Sequence, residues 1–244
     1  MPEYELNFDD FNLDLLLDFQ NKKIIESSNF RTVTEICAET LKYSRMAAII
    51  GEPGYGKSIA FEYFQSNNKN IYRITVKKSM TSKDFYNKIL AIAGWSNIYQ
   101  SSTLYNIIES IGYYFNQSTS KQLIIIDEAG KLSHRQLLYL HDLRDSVSKN
   151  TGIIIAGPKY FEKTLYALKK NDVEGIPELL RRVDVFIELE KPSNAEKREL
   201  FNQYGFKNTS LINALMKECV HLEDVYKSVQ NFALIAIRIM NEKN

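Results

Sequence analysis

Eight consecutive residues, Gly51-Glu52-Pro53-Gly54-Tyr55-Gly56-Lys57-Ser58, place three glycines, a lysine and a hydroxyl at the spacing G-x-x-x-x-G-K-[ST]. The glycines let the backbone curl until its N–H groups converge on one point, which suits phosphate oxygens. Lys57 adds a mobile cation for the outer phosphates, and Ser58 adds a hydroxyl for a hard divalent cation. A helix starting at this point aims its positive end the same way. A plain glycine turn could carry the same letters. The flanks argue otherwise: an apolar run from Met46 to Ile50 precedes the motif, and Ile59, Phe61 and Phe64 follow it at helical spacing. The expected ligands are ATP and Mg²⁺, with Gly51 to Ser58 and the adjoining Ile59 forming the nucleotide contact.

A second acidic element fits the first. Leu123-Ile124-Ile125-Ile126 is a continuous apolar run that ends in Asp127-Glu128. A carboxylate at the tip of a strand beside the phosphate loop can hold Mg²⁺ through its water shell. The next carboxylate can polarise a water for attack on the terminal phosphate. Asp127 is therefore assigned to the metal and Glu128 to the base. Read without the phosphate loop, the pair would be a solvated cap on the following helix.

Arg181 and Arg182 form a third candidate, just before the apolar stretch Val183 to Leu189. In a doubly wound layout that end of the domain is far from its own phosphate loop. An arginine there reaches only a neighbouring subunit's nucleotide, where it can raise the rate by roughly 10³–10⁵. The competing reading is a surface ion pair, and the sequence favours Arg182 only slightly.

Positioning these residues takes alternating strands and helices. Strands are expected at Met46–Ile50, Asn70–Val76, Leu123–Ile126, around Ile153-Ile154-Ile155, and at Val183–Leu189. Helices are expected near 32–43, where Thr32 and Glu35 suit a capping box, across Leu104 to Phe115, and across Leu137 to Val147. This alternation predicts a doubly wound parallel α/β sheet. After Lys191-Pro192 the strand signal stops. Helices are expected near 194–204 (capped by Ser193 with Glu196), 209–219 and 222–240, forming a small helical lid. The expected organisation is an acidic arm at 1–29, an α/β ATPase core at 30–190 and the lid at 191–244. The arm holds Glu3, Glu5, Asp9, Asp10, Asp14 and Asp18 without lysine or arginine through residue 20. It reads either as a segment folded onto the domain or as a docking segment.

Composition excludes several classes. With 31 basic and 30 acidic residues the formal charge is +1, which argues against coating nucleic acid by bulk charge. A local basic patch stays open. The two cysteines, Cys37 and Cys219, lack metal or redox spacing and read as core thiols. No signal peptide pattern appears, and no apolar run approaches the roughly 20 residues that span a bilayer. A cytoplasmic, non-membrane protein is expected.

Taken together, Gly51–Ser58, Leu123–Glu128 and the Arg181-Arg182 pair before a helical lid resemble the AAA+ ATPases. The segment from Arg31 to Gly157 more narrowly resembles the transposition ATPases of the phage Mu B and TnsC type. That likeness is carried by Ile50–Ser58, Ile125-Ile126-Asp127-Glu128-Ala129-Gly130-Lys131-Leu132, Leu140-His141-Asp142-Leu143-Arg144-Asp145 and Gly152-Ile153-Ile154-Ile155-Ala156-Gly157. It covers about half of the chain. The resemblance implies ATP-dependent assembly of a homo-oligomer, a helical filament or ring, on double-stranded DNA. Such an assembly would mark targets for a partner transposase. It implies DNA contact by the loop after the second strand, here Lys77, Lys78, Thr81 and Lys83. Read alone, that run is a solvated loop. It also implies a lid sensor, for which only Lys227 is on offer where an arginine is usual. Ala156-Gly157-Pro158 replaces the usual polar sensor after the fourth strand, so hydrolysis is expected to be slow.

Three other readings remain. A helicase-loader-type ATPase shares the fold and binds DNA through an ATP-driven oligomer. A nucleotide-gated switch would oligomerise without DNA. A monomeric small-molecule kinase conflicts with the lid and the arginine pair.

Overall fold

The computed structural model describes residues 8–94, 103–147 and 149–243. Glu3 and Glu5 of the acidic arm lie outside this range. In chain order the elements are α1 (Leu13–Leu17), α2 (Ser28–Tyr43), β1 (Met46–Ile50), α3 (Lys57–Asn67), β2 (Ile71–Thr75), α4 (Ser82–Ile92), α5 (Leu104–Gln117), β3 (Gln122–Asp127), α6 (His134–Leu138) and α7 (Leu140–Val147). Then come β4 (Thr151–Gly157), α8 (Lys159–Lys170), α9 (Ile176–Arg182), β5 (Val185–Glu188), α10 (Asn194–Gln203), α11 (Thr209–Met216) and α12 (Leu222–Lys243).

The chain divides into two compact units. One comprises Arg31–Glu52 and Lys57–Leu189. Its centre is a five-stranded sheet in the order β2-β3-β4-β1-β5, with every pairing parallel. This is the doubly wound P-loop NTPase layout that the alternating pattern predicts. Parallel strands need crossovers, and helices cover both faces, so the inner strands are apolar along their middles, with polar residues confined to their ends, Gln122 and Asp127 on β3 and Thr151 on β4. All residues of β1, β3 and β4 are buried. The edge strand β5 is only partly buried. The core is aliphatic and aromatic, with Phe85, Tyr86, Phe115 and Phe161 packed among the strand isoleucines.

The other unit comprises Met1–Phe30, Pro53–Gly56 and Glu190–Asn244. Its core joins Phe11, Leu16 and Ile25 to Leu200, Phe201, Tyr204, Phe206, Leu222, Val225, Val229 and Phe232. The Tyr204 hydroxyl donates to Asn21 O at 3.1 Å and accepts from Lys23 N at 3.0 Å, so burial of that ring is matched by polar contacts. The described part of the acidic arm thus has its own apolar footing among the C-terminal helices.

Two local expectations fail. The helix expected from Thr32 begins at Ser28, and Ser27 Oγ accepts from Phe30 N at 3.1 Å in place of a Thr32 cap. Phe30 extends the apolar face of Val33 and Cys37 by one turn, and all three are buried. The single helix expected over Leu137–Val147 is two, separated at Tyr139. The expected cap of Ser193 with Glu196 forms in full. Cys37 and Cys219 are buried free thiols, and burial pushes Cys219 up to about 11. Among the described residues no helix is long and apolar enough to cross a membrane.

Candidate functional site

Lys57 and Ser58 open α3, and Asp127 closes β3. The sequence predicts this convergence, and the larger unit makes it. Ser58 Oγ donates to Asp127 Oδ2 at 2.9 Å. Asp127 is 1% exposed, and its other oxygen, Oδ1, accepts from Glu128 N at 2.9 Å. Lys57 is 8% exposed, and Nζ donates to the carbonyl oxygens of Gly51 and, at 3.1 Å, Glu52. Burial lowers the Lys57 pKa, and the charges of Asp127, Glu128 and Glu52 partly oppose that. The ammonium is thus short of water and satisfied by carbonyls that a phosphate oxygen would outbid.

Glu128 is different in kind from Asp127. Its backbone is left-handed, with φ of 60°, and its carboxylate is partly exposed, 3.1 Å from Lys131 Nζ. One carboxylate is therefore fixed and buried, and its neighbour is turned out where water reaches it. That division suits a metal-holding group beside a base.

One participant escaped the sequence reading. Arg73 on β2 donates from Nη2 to Asp127 Oδ2 at 2.7 Å. The available signal was a charged residue inside Ile71-Tyr72-Arg73-Ile74, where burial requires an acidic partner.

The turn Pro53–Gly56 belongs to the smaller unit. Gly54 and Gly56 have φ of 83° and 90°, a region costly for other residues, as expected of a backbone curled to present N–H groups. Tyr55 packs against His221 with the rings tilted and their centroids 5.4 Å apart. Asn29 Nδ2 donates to Tyr55 O at 3.2 Å and to Glu190 O at 2.7 Å, and Asn29 Oδ1 accepts from Glu190 N at 3.2 Å. Asn29, also unread in the sequence, ties the turn to the start of the C-terminal segment.

The remaining candidates lie elsewhere. Ile59 is half-buried on α3. Arg181 and Arg182 end α9 at the N-terminal edge of the parallel strands, opposite Lys57, Ser58 and Asp127. Arg182 grips Asp145 with two bonds of 2.8 and 2.6 Å, while Arg181 is exposed. Lys77, Lys78 and Lys83 are exposed around the end of β2. Thr81 caps α4 in a reciprocal box with Asp84, so its hydroxyl already has a structural task. Lys227 belongs to the smaller unit, is exposed, and lies 3.7 Å from Glu223.

Chemically, the oxygens of Ser58 and Asp127 are hard donors, 2.9 Å apart, and fit magnesium. Among the described residues no group of three or more His, Cys, Asp and Glu could hold a metal. A cation here would complete its shell with water and phosphate oxygens, as magnesium does.

The family model described as AAA domain matches residues 40–165. By structure, the chain is similar to Cdc6p from Pyrobaculum aerophilum, with a TM-score of 0.68 at 10% identity, over 92% of this chain and 66% of that one. It is similar to the Aeropyrum pernix ORC1 protein in complex with DNA, with a TM-score of 0.63 at 13% identity, over 96% and 66%. It is also similar to the replication initiator DnaA bound to AMPPCP and single-stranded DNA, with a TM-score of 0.57 at 14% identity, over 98% and 69%. The chain spans about two thirds of the length of these proteins. Identities this low establish a shared fold and no more. A search of curated proteins by sequence finds no match.

Proposed function

The chain belongs to the AAA domain family, and from that premise we propose an ATP-hydrolysing protein that assembles with itself on DNA, of the initiator or loader kind. The observation that carries the reading is the junction of Lys57 and Ser58 with the buried Asp127. Gly51 to Ser58 would hold the triphosphate, with Lys57 on its outer oxygens. Ser58 and Asp127 would hold magnesium, which neutralises phosphate charge when bound. Glu128 draws a proton from a water as that water attacks the terminal phosphorus and the bond to the β-phosphate oxygen breaks.

Assembly is supported by the arginines. They lie at the opposite strand edge from the acidic tip, where only another subunit could use them. Of the two, Arg181 is the better candidate, because Arg182 would first have to leave Asp145. This reverses the slight preference that the sequence alone suggests. DNA contact is supported by the exposed Lys77, Lys78 and Lys83. The transposase-activating role stays a second, narrower reading. The likeness to Cdc6p, ORC1 and DnaA favours the loader-type alternative over it.

The test is light scattering and electron microscopy of the protein with AMPPNP, on single- and double-stranded DNA of random sequence. Nucleotide-dependent assemblies are expected, absent in Lys57→Ala. An oligomer that forms with nucleotide but ignores DNA would leave only the switch reading. A monomer under all conditions would sink the proposal. A preference for single strands would speak for the loader role, and for duplex the transposition role.

A further inference from the structure

Asp127 Oδ2, the oxygen best placed for a metal, already carries a cation. It accepts from Ser58 Oγ at 2.9 Å and from Arg73 Nη2 at 2.7 Å. Arg73 is the only ion-pair partner of Asp127 among the described residues. A carboxylate that is 1% exposed requires such a counter-charge, since an unpaired buried charge is strongly disfavoured.

The pairing is built to be released. An arginine dedicated to holding a carboxylate usually grips it with two parallel bonds, as Arg182 grips Asp145. Arg73 makes one, and its Nε is buried without a hydrogen-bond partner. Its side chain keeps 18% exposure, so there is an edge toward which it can move. Arg73 sits on β2 opposite Ile125 in the register, two residues before the Thr75–Asp127 pair. It therefore reaches along the sheet to the strand tip and meets the carboxylate from the side of β2.

We propose that Arg73 is a resident competitor for the divalent cation at Asp127, neutralising the carboxylate until metal and nucleotide arrive and then giving way. This rests on the reading of Ser58 and Asp127 as the metal site. A cation held at that oxygen, directly or through its water shell, is repelled by the guanidinium, and beside a carboxylate that is 1% exposed the repulsion is felt strongly. The metal must therefore displace the guanidinium, and the site stays closed to metal at low concentration. The device sets a metal threshold for loading and keeps Asp127 paired in the empty protein.

The experiment titrates Mn²⁺ by electron paramagnetic resonance into the full chain with saturating AMPPNP. It compares wild type, Arg73→Gln and Arg73→Lys. Glutamine keeps a donor near Asp127 but removes the charge, so half-saturation should fall about fivefold or more. Lysine keeps the charge and should stay near wild type. Equal half-saturation in wild type and Arg73→Gln overturns the proposal, as does a weaker affinity in Arg73→Gln, which would make Arg73 a mere orienting group. If calorimetry in EDTA and in Mg²⁺ shows no AMPPNP binding to wild type, the nucleotide reading fails instead. The Mn²⁺ titration without nucleotide then decides between competition and none by the same comparison. Should Arg73→Gln not fold, the guanidinium nitrogen resonances of wild type serve. With AMPPNP bound, those of Arg73 should shift when metal is added, and an unchanged signal overturns the competition.

Discussion

The Ser58 hydroxyl and Asp127 Oδ2 are hydrogen-bonded at 2.9 Å, although 69 residues separate them in sequence. The bond joins the first turn of α3 to the tip of β3, so the two oxygens approach any cation as a unit. Groups acting as a unit are not additive on removal. Ser58→Ala and Asp127→Asn should each abolish most of the magnesium-dependent part of AMPPNP affinity, and the double variant should be hardly worse than either. The expected coupling is about 1–3 kcal/mol, in the range for residues sharing a partner. Calorimetry with magnesium and with EDTA isolates the term; strictly additive losses would mean the two do not share a metal.

Glu128 should matter for turnover and not for binding. It is partly exposed, left-handed in backbone, and paired with Lys131 at 3.1 Å. Glu128→Gln preserves shape and loses the basic oxygen. ATP hydrolysis should fall by about 10²–10⁴, typical for loss of a general base, with nucleotide affinity within twofold of wild type. Parent-level phosphate release from that variant would remove Glu128 from the role.

Much of this site was legible in sequence because its parts are local. Gly51–Ser58 is one turn of chain, and Asp127-Glu128 follows a run of four apolar residues that can only be an inner strand. The strands of the sheet and the capped helix at Ser193 were readable for the same reason. What escaped depends on the third dimension. Arg73 is one charge in a strand, and nothing local says that its partner stands at the tip of the next strand over. Asn29 meets Tyr55 and Glu190 across 26 and 161 residues. The start of α2 depends on packing too, because Phe30 adds a turn to the helix by its burial beside the apolar face, which no local pattern announces. Helix α4 carries a local signal that the expected elements leave out, Phe85, Tyr86, Ile89 and Leu90 at helical spacing behind the Thr81–Asp84 cap.

Packing in the larger unit makes Gly152 a sensitive position. A Cβ placed there would lie 2.3 Å from Thr40 O and 2.9 Å from Thr40 C, and backbone does not yield as a flexible side chain does. Gly152→Ala should destabilise the chain by about 2–3 kcal/mol, through separation of α2 from β4. Urea unfolding measures this; a loss under 0.5 kcal/mol, on the scale of neutral surface changes, would show that the helix can shift without cost.

The Arg182–Asp145 pair should give stability that acid removes. The hydrogen bonds from Arg182 lead the causes that hold Asp145 below the usual carboxylate range. A carboxyl group lowered on folding stabilises above its unfolded pKa, and that contribution is lost as pH falls through the folded one. Both partners are partly exposed, so the effect is at most about 1 kcal/mol. Asp145→Asn should be less stable than wild type at neutral pH, and the two should converge below about pH 3. Denaturant midpoints across that range are the measurement. A constant difference at all pH values would assign the loss to packing.

The exposed lysines around the end of β2 give the sharpest test of DNA contact. A lysine on a phosphate releases a condensed counterion, so each real contact steepens the fall of affinity with salt by about 0.9 in the logarithmic slope on duplex. Replacing Lys77, Lys78 and Lys83 singly by alanine should lower the slope by about that amount for each one that touches phosphate. The affinity loss should be the same on unrelated sequences, because phosphate contacts carry no sequence information. Thr81 must be handled apart: its alanine variant removes the cap of α4 and should cost about 1 kcal/mol of stability, which would confuse a binding assay. Fluorescence anisotropy with AMPPNP, at several salt concentrations, separates these outcomes. If all three lysine variants keep the parent slope, this segment is a solvated loop, and any DNA contact must be sought on another face.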